Sequence, residues 1–165
     1  MNELNKAQRT AVSGPLRKEA LAAFEQQIKA WDVAMPQVEP LVLDFGLDDF
    51  YKTGLIEYWI ANEVEAGYCA KYLFVFDGQT CPMHHHREKQ ETFFIVKGKV
   101  RIDYAGAVRE MKMGDVLLVE RGMPHCFTGM GPALILEAST PCMVDDNYFA
   151  DPSIPIGGNY GGGVP

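Results

Sequence analysis

The chain has 165 residues, room for one domain with a substantial core, and its 47% hydrophobic and 11% aromatic content is that of a folded globule. Its formal net charge of −7 argues against nucleic acid, whose partners need a basic face. No apolar run approaches the ~20 residues that span a bilayer.

The N-terminus lacks the apolar centre of a secretory leader. The four cysteines, Cys69, Cys81, Cys126 and Cys142, form no C-x-x-C pair. Both features fit a reduced, cytoplasmic protein rather than a zinc ribbon.

Residues 1–14 are polar and mixed, and are expected to be frayed or held by a partner. Ser13-Gly14-Pro15 reads as a helix start, with proline in the first turn. Leu16, Ala20, Phe24, Ile28 and Trp31 recur every three or four residues and form one apolar stripe. That stripe either covers the chain's own β-structure or is shared across a homodimer. Pro36 and Pro40 end the helix. They open an irregular segment, 38–53, expected to cross the β-structure or its mouth.

From Leu55 the pattern turns to strands. Residues 55–61 and 68–76 are aromatic and β-branched, split by a polar turn. Segments at 99–104, 108–113, 116–120, 125–128 and 133–138 follow, with Gly or Pro at nearly every junction. Many short strands with close turns and no helix between them predict an antiparallel jelly-roll barrel. The expected organisation is a helix and lead-in at 1–53, a barrel at 54–154 and a Gly-rich tail at 155–165 on the surface.

The chemistry gathers between Gly78 and Gly98. His84 and His86 share one face of a strand while His85 faces away. A polar turn, Arg87–Gln90, leads to Glu91 at the start of the next strand, so a hairpin would bring its carboxylate to the two imidazoles. His125 is the natural fourth ligand. Three imidazoles and a carboxylate leave about two open positions on an octahedral metal. Such a site suits chelation of a hydroxy-carbonyl or binding of O₂.

Other polar residues bear on that choice. Lys89 lies two positions before Glu91, so an extended backbone sends both the same way. Glu137 ends an apolar run on the face of Ala133 and Ile135. Burial there is expected to raise its pKa towards that of a useful base. Tyr68, Lys71 and Gln79 flank the same cavity in a barrel and are candidates for binding hydroxyls.

Gly78, His84, His86, Glu91 and Gly98 fit G-x5-H-x-H-x4-E-x6-G, and Gly114, Gly122 and His125 fit G-x5-P-x-G-x2-H with Glu120 at the proline. This pair resembles the two cupin motifs. The runs Y-C-x-K (68–71), G-Q-T-C-P-x-H-x-H (78–86), K-x-E-T-F (89–93), E-x-S-T (137–140) and F-x-D-P (149–152) resemble the D-lyxose isomerase group of cupins over residues 67–154. Val144 and Asn147 stand where that group tends to have aspartates.

The resemblance implies an all-β, double-stranded β-helix with an N-terminal helix. It also implies one divalent metal on His84, His86, Glu91 and His125, with Mn²⁺ first and Fe²⁺, Zn²⁺, Ni²⁺ or Co²⁺ as alternatives. The expected activity is aldose–ketose isomerisation of a small sugar such as lyxose/xylulose or mannose/fructose. Glu137 is expected as base and Lys89 as its electrostatic partner. The rival readings are an Fe²⁺ dioxygenase and a non-enzymatic small-molecule binder.

Overall fold

The computed structural model describes residues 2–159. Helix α1 (Glu3–Ala7) runs into a 3₁₀ turn (Gln8–Thr10), and α2 (Gly14–Ala30) follows. The strands are β1 (Leu41–Leu43), β2 (Leu55–Glu63), β3 (Tyr68–Val75), β4 (Thr80–His85), β5 (Glu91–Lys97), β6 (Lys99–Tyr104), β7 (Ala107–Lys112), β8 (Val116–Val119), β9 (His125–Gly129), β10 (Ala133–Ser139) and β11 (Tyr148–Phe149). A second 3₁₀ turn, Val144–Asp146, precedes β11.

They form two antiparallel sheets, ordered β1-β2-β3-β10-β5-β8 and β11-β4-β9-β6-β7. This is the expected jelly roll. Between the sheets, Leu73, Val75, Phe93, Ile95 and Ile135 pack against Val100, Ile102, Met111 and Phe127.

The outer face of the first sheet is also buried over β2, β3 and β10, where α2 lies. Ala20, Phe24 and Ile28 pack against Ile56, Tyr58, Phe74 and Leu134. Phe24 stacks on Tyr58 and meets Phe74 edge-on, with centroids 5.3 and 4.9 Å apart. Strands buried on both faces read as continuous apolar runs, which accounts for Leu73-Phe74-Val75 and Ala133-Leu134-Ile135.

The N-terminal residues are not frayed. Glu3 is buried and its carboxylate accepts from the Val144 N–H at 2.5 Å. Lys6 pairs with Asp145 at 2.6 Å, and the Val12 N–H donates to Val42 at 2.7 Å. The polar composition of residues 2–12 hides these contacts because each partner lies far away in sequence. The segment after α2 is also more ordered than its sequence implies. It contains β1, and Phe45 and Phe50 are buried. Of the predicted tail, residues 160–165 lie outside the described residues. Ile154 is buried in the barrel core.

Two glycines fix tight approaches. Gly98 turns β5 into β6 with φ +76°, and a Cβ there would meet the Pro132 carbonyl at 2.2 Å. Gly129 would place a Cβ 2.2 Å from the Phe76 carbonyl, so a larger residue at that position requires the end of β3 to move.

Candidate metal centre and active site

β4 and the residue that follows it bring His84 and His86 to the inner face, and the ring of His85 stacks instead on Tyr148, centroids 5.1 Å apart. His84 pairs in register with His125 on β9. The ring centroids of His84 lie 4.9 Å from His86 and 4.3 Å from His125. One nitrogen from each of the three rings lies within 4.8 Å of the others. All three rings are buried.

Each ring is oriented by a backbone carbonyl. Nδ1 of His84 faces Pro82 O at 2.8 Å, that of His86 faces Asp146 O at 3.0 Å, and that of His125 faces Met123 O at 3.0 Å. A carbonyl only accepts, so Nδ1 carries the proton and the Nε2 lone pair is left for the centre. Burial, then His125 and His86, hold the His84 pKa well below its ordinary value, so that ring stays neutral.

Glu91 Oε2 lies 3.1 Å from His125 Nε2 and 3.4 Å from His86 Nε2. These three atoms are buried without a hydrogen-bond partner. Unpaired buried acceptors that converge are costly unless a cation joins them. The donor set of three imidazoles and one carboxylate fits a borderline divalent ion.

A charged bridge extends the centre. Lys89 Nζ lies 2.6 Å from Glu91 Oε1 and 2.6 Å from Glu137 Oε1, and Ser139 Oγ donates to the same Glu137 oxygen at 2.8 Å. Burial pulls Lys89 down, but Glu137 and Glu91 outweigh it and hold the ammonium well above its ordinary value. Burial acts to raise Glu91, yet Lys89 and the facing imidazoles hold it well below the carboxylate range. The expectation of a raised pKa at Glu137 is overturned. Burial does push it up, but Lys89 and Lys71 push harder and lower it. A buried carboxylate between two lysines stays ionised.

The three candidates for hydroxyl binding part company. Lys71 is buried opposite Glu137 in the β3–β10 register. Tyr68 is half exposed at the first position of β3, one residue off the inward series Cys69, Lys71 and Leu73. Gln79 is buried but committed to the chain: its amide donates to Phe50 O at 2.5 Å and accepts from the Phe76 N–H at 3.0 Å. Neither Tyr68 nor Gln79 joins the cluster.

Asp146 is the residue that pattern reasoning left without a role. Its carboxylate accepts from the N–H groups of Arg87 at 2.9 Å, Glu88 at 3.1 Å and Lys89 at 2.9 Å. Its carbonyl orients His86. One residue thus holds the turn from which Lys89 and Glu91 project.

A cavity of about 50 Å³ lies beside Lys71, and none of the candidate metal ligands lines it. It is lined in part by Glu57, Trp59, Lys71, Cys142, Asn147 and Phe149, and the Phe149 ring lies 5.6 Å from that of His84. A cleft of about 810 Å³ between α2 and residues 33–40 contains no candidate ligand.

The D-lyxose isomerase family profile matches residues 18–102, and the cupin domain profile matches residues 74–139. A D-lyxose/D-mannose isomerase of Thermosediminibacter oceani is 32% identical over 141 residues, covering 68% of this chain and 77% of the relative. A D-lyxose ketol-isomerase of a Thermofilum species is 27% identical, covering 84% of this chain and 91% of the relative. Among solved structures, an L-ribose isomerase of Acinetobacter sp. DL28 in complex with L-ribose superposes with TM-score 0.70 at 15% identity, covering 88% and 95% of the two chains. That of Cellulomonas parahominis with L-ribose gives 0.70 at 18% identity, covering 88% and 96%. At these identities the likeness is one of fold.

Proposed function

The chain belongs to the D-lyxose isomerase family of cupin proteins, and from that premise we propose that it interconverts an aldose and its ketose, D-lyxose with D-xylulose or D-mannose with D-fructose. The observation that carries the reading is Lys89 bridging Glu91 of the metal cluster to Glu137 at 2.6 Å on each side. It couples a Lewis-acid centre to a Brønsted base inside one hydrogen-bonded unit.

His84, His86, His125 and Glu91 would hold a divalent cation, Mn²⁺ in our reading, which would supply Lewis acidity towards the sugar's hydroxy-carbonyl. Glu137, ionised by its two lysines, accepts the proton from C2 of the aldose and returns it to C1. Lys89 stays in place: as Glu137 becomes neutral, the ammonium is free to favour the oxyanion that develops beside it. Ser139 donates to the oxygen of Glu137 that Lys89 holds, which leaves the other oxygen for the substrate.

Glu137→Gln tests the assignment. The variant should keep metal and fold but lose about 10²–10⁴-fold in turnover, the usual worth of a positioned proton transfer. In D₂O the parent should incorporate deuterium at C1 or C2. Isomer formed without label would sink Glu137 as the base. Substrate-dependent oxygen uptake with no isomer from any pentose or hexose would favour the dioxygenase.

We also read the protein as a cytoplasmic homodimer. All four cysteines are free, which suits a reducing compartment, and no helix among the described residues is long and apolar enough to cross a membrane. Apolar Phe94, Val116 and Leu118 are exposed on β5 and β8. A monomer by light scattering at micromolar concentration would reject the dimer.

A further inference from the structure

Lys71 is a buried ammonium with too few partners. Its Nζ makes one hydrogen bond among the described residues, to the Cys142 sulfur at 3.1 Å. Glu57 Oε2 is 3.6 Å away, beyond hydrogen-bond range, and the Trp59 ring centre is at 4.2 Å. Burial pushes the Cys142 thiol up, so it stays neutral and a weak acceptor. Three ammonium donors with one soft acceptor are an expensive thing to bury.

The unspent capacity faces the 50 Å³ cavity that Lys71 lines with Glu57, Trp59, Asn147 and Phe149. This is room for a few waters or the end of a polyol. Phe149, on the cavity wall, also neighbours His84, and Lys71, on the same wall, pairs in register with the candidate base Glu137. Trp59 fixes Glu57 by donating its indole N–H to Oε2 at 2.6 Å.

The geometry points to a subsite for the polyol tail of the substrate, in which Lys71 donates to a distal hydroxyl, Glu57 accepts from it, and Trp59 holds both charges in place. The assignment rests on the isomerase reading for its ligand class. It adds Glu57 and Trp59 as specificity-determining residues beyond the metal centre. The two charges are paired, so the pocket suits neutral vicinal hydroxyls.

The test uses D-arabinitol, a pentitol with hydroxyls but no carbonyl to isomerise. The chain has two tryptophans, so Trp31→Phe leaves Trp59 as the sole reporter. On the metal-loaded protein, D-arabinitol should change Trp59 fluorescence saturably. Glu57→Gln and Lys71→Met should each weaken that binding about tenfold or more, the scale of one lost charge-assisted contact.

Glycolate spans only two carbons: its affinity by calorimetry should not fall in Glu57→Gln, and in Lys71→Met it should fall less than that of arabinitol, through the lost charge alone. That control also establishes that they remain folded. With the parent's substrate, Glu57→Gln should raise KM with kcat nearly constant, the mark of binding that is equal in ground and transition states. Arabinitol binding unaffected by both substitutions, or a glycolate affinity that falls as far as that of arabinitol, would overturn the subsite. Loss of the isomerase reading would appear separately, as no isomer from any sugar while arabinitol binding keeps its Glu57 dependence.

Discussion

Removing the Asp146 carboxylate should loosen the metal centre without touching a ligand. In Asp146→Ala, three N–H donors lose their acceptor. Taken singly, hydrogen bonds to a charged group are worth about 1.5–3 kcal/mol each. The sum overstates the cost, because Arg87 and Glu88 are exposed and water can replace their partner. Lys89 is 4% exposed, so its N–H is left unpaired.

The expected loss is therefore about 2–3 kcal/mol, one buried contact plus the freedom regained by the turn. At about 2–4 °C per kcal/mol for a chain of this size, Tm should fall by about 4–12 °C. Lys89 and Glu91 project from the freed turn, so metal affinity should drop about 10–100-fold, as for outer-shell partners of other metal sites. Chelator competition gives the affinity and scanning calorimetry gives Tm. Asp146→Asn keeps an acceptor without the charge and should recover part of both. Affinity and Tm at the parent's values in Asp146→Ala would refute the role.

Elemental analysis should find near-stoichiometric divalent metal in the parent and in His85→Ala, and little in the double variant His84→Ala, His86→Ala. Phe24→Ala removes the ring that α2 inserts between Tyr58 and Phe74. It should cost about 3–5 kcal/mol in urea unfolding, and a loss below 1 kcal/mol would mean that α2 does not clamp the sheet. Glu91 and Glu137 are held below their ordinary value of 4.5, and His84 is held well below 6.5. Below pH 6.5 the unfolded chain then binds more protons than the folded one, so metal-free stability should be full just above that pH. It should fall first below that value and again below pH 4.5. Stability that rises on acidification through this window would reverse the sign.

The strand pattern was legible because antiparallel strands alternate and turns carry Gly or Pro, and the cluster was legible because its ligands obey that alternation within two short segments. Lys89 could be placed for the same reason: two residues before Glu91 is the same side of an extended chain. Tyr68 failed by that very rule, being one residue out of phase with Lys71. Gln79 failed because sequence does not tell a turn's internal staple from a ligand. Asp146, Glu3 and the β1 segment were hidden since their partners lie tens of residues away and no periodicity reports them. The pKa of Glu137 was misjudged because burial was weighed without Lys89 and Lys71, which only the fold brings to it.

The buried charges also bear on why Lys89 stands where it does. The ion-paired side chains beside the centre, Glu57, Glu91 and Glu137 with Lys71 and Lys89, carry a net charge of −1 among themselves. A divalent cation would bring this to +1, and moving a proton from the sugar to Glu137 would keep that total, with +2 on the protein and metal facing −1 on the sugar. In a water-poor site that balance is worth far more than in solvent. Lys89 touches both carboxylates at 2.6 Å, so it need not travel in the proposed proton transfer to Glu137. Lys89→Met would leave −2 before metal and 0 after it. Its affinity for the cation should hold or rise while kcat falls, and a loss of metal with unchanged kcat would show that Lys89 serves Glu91 alone.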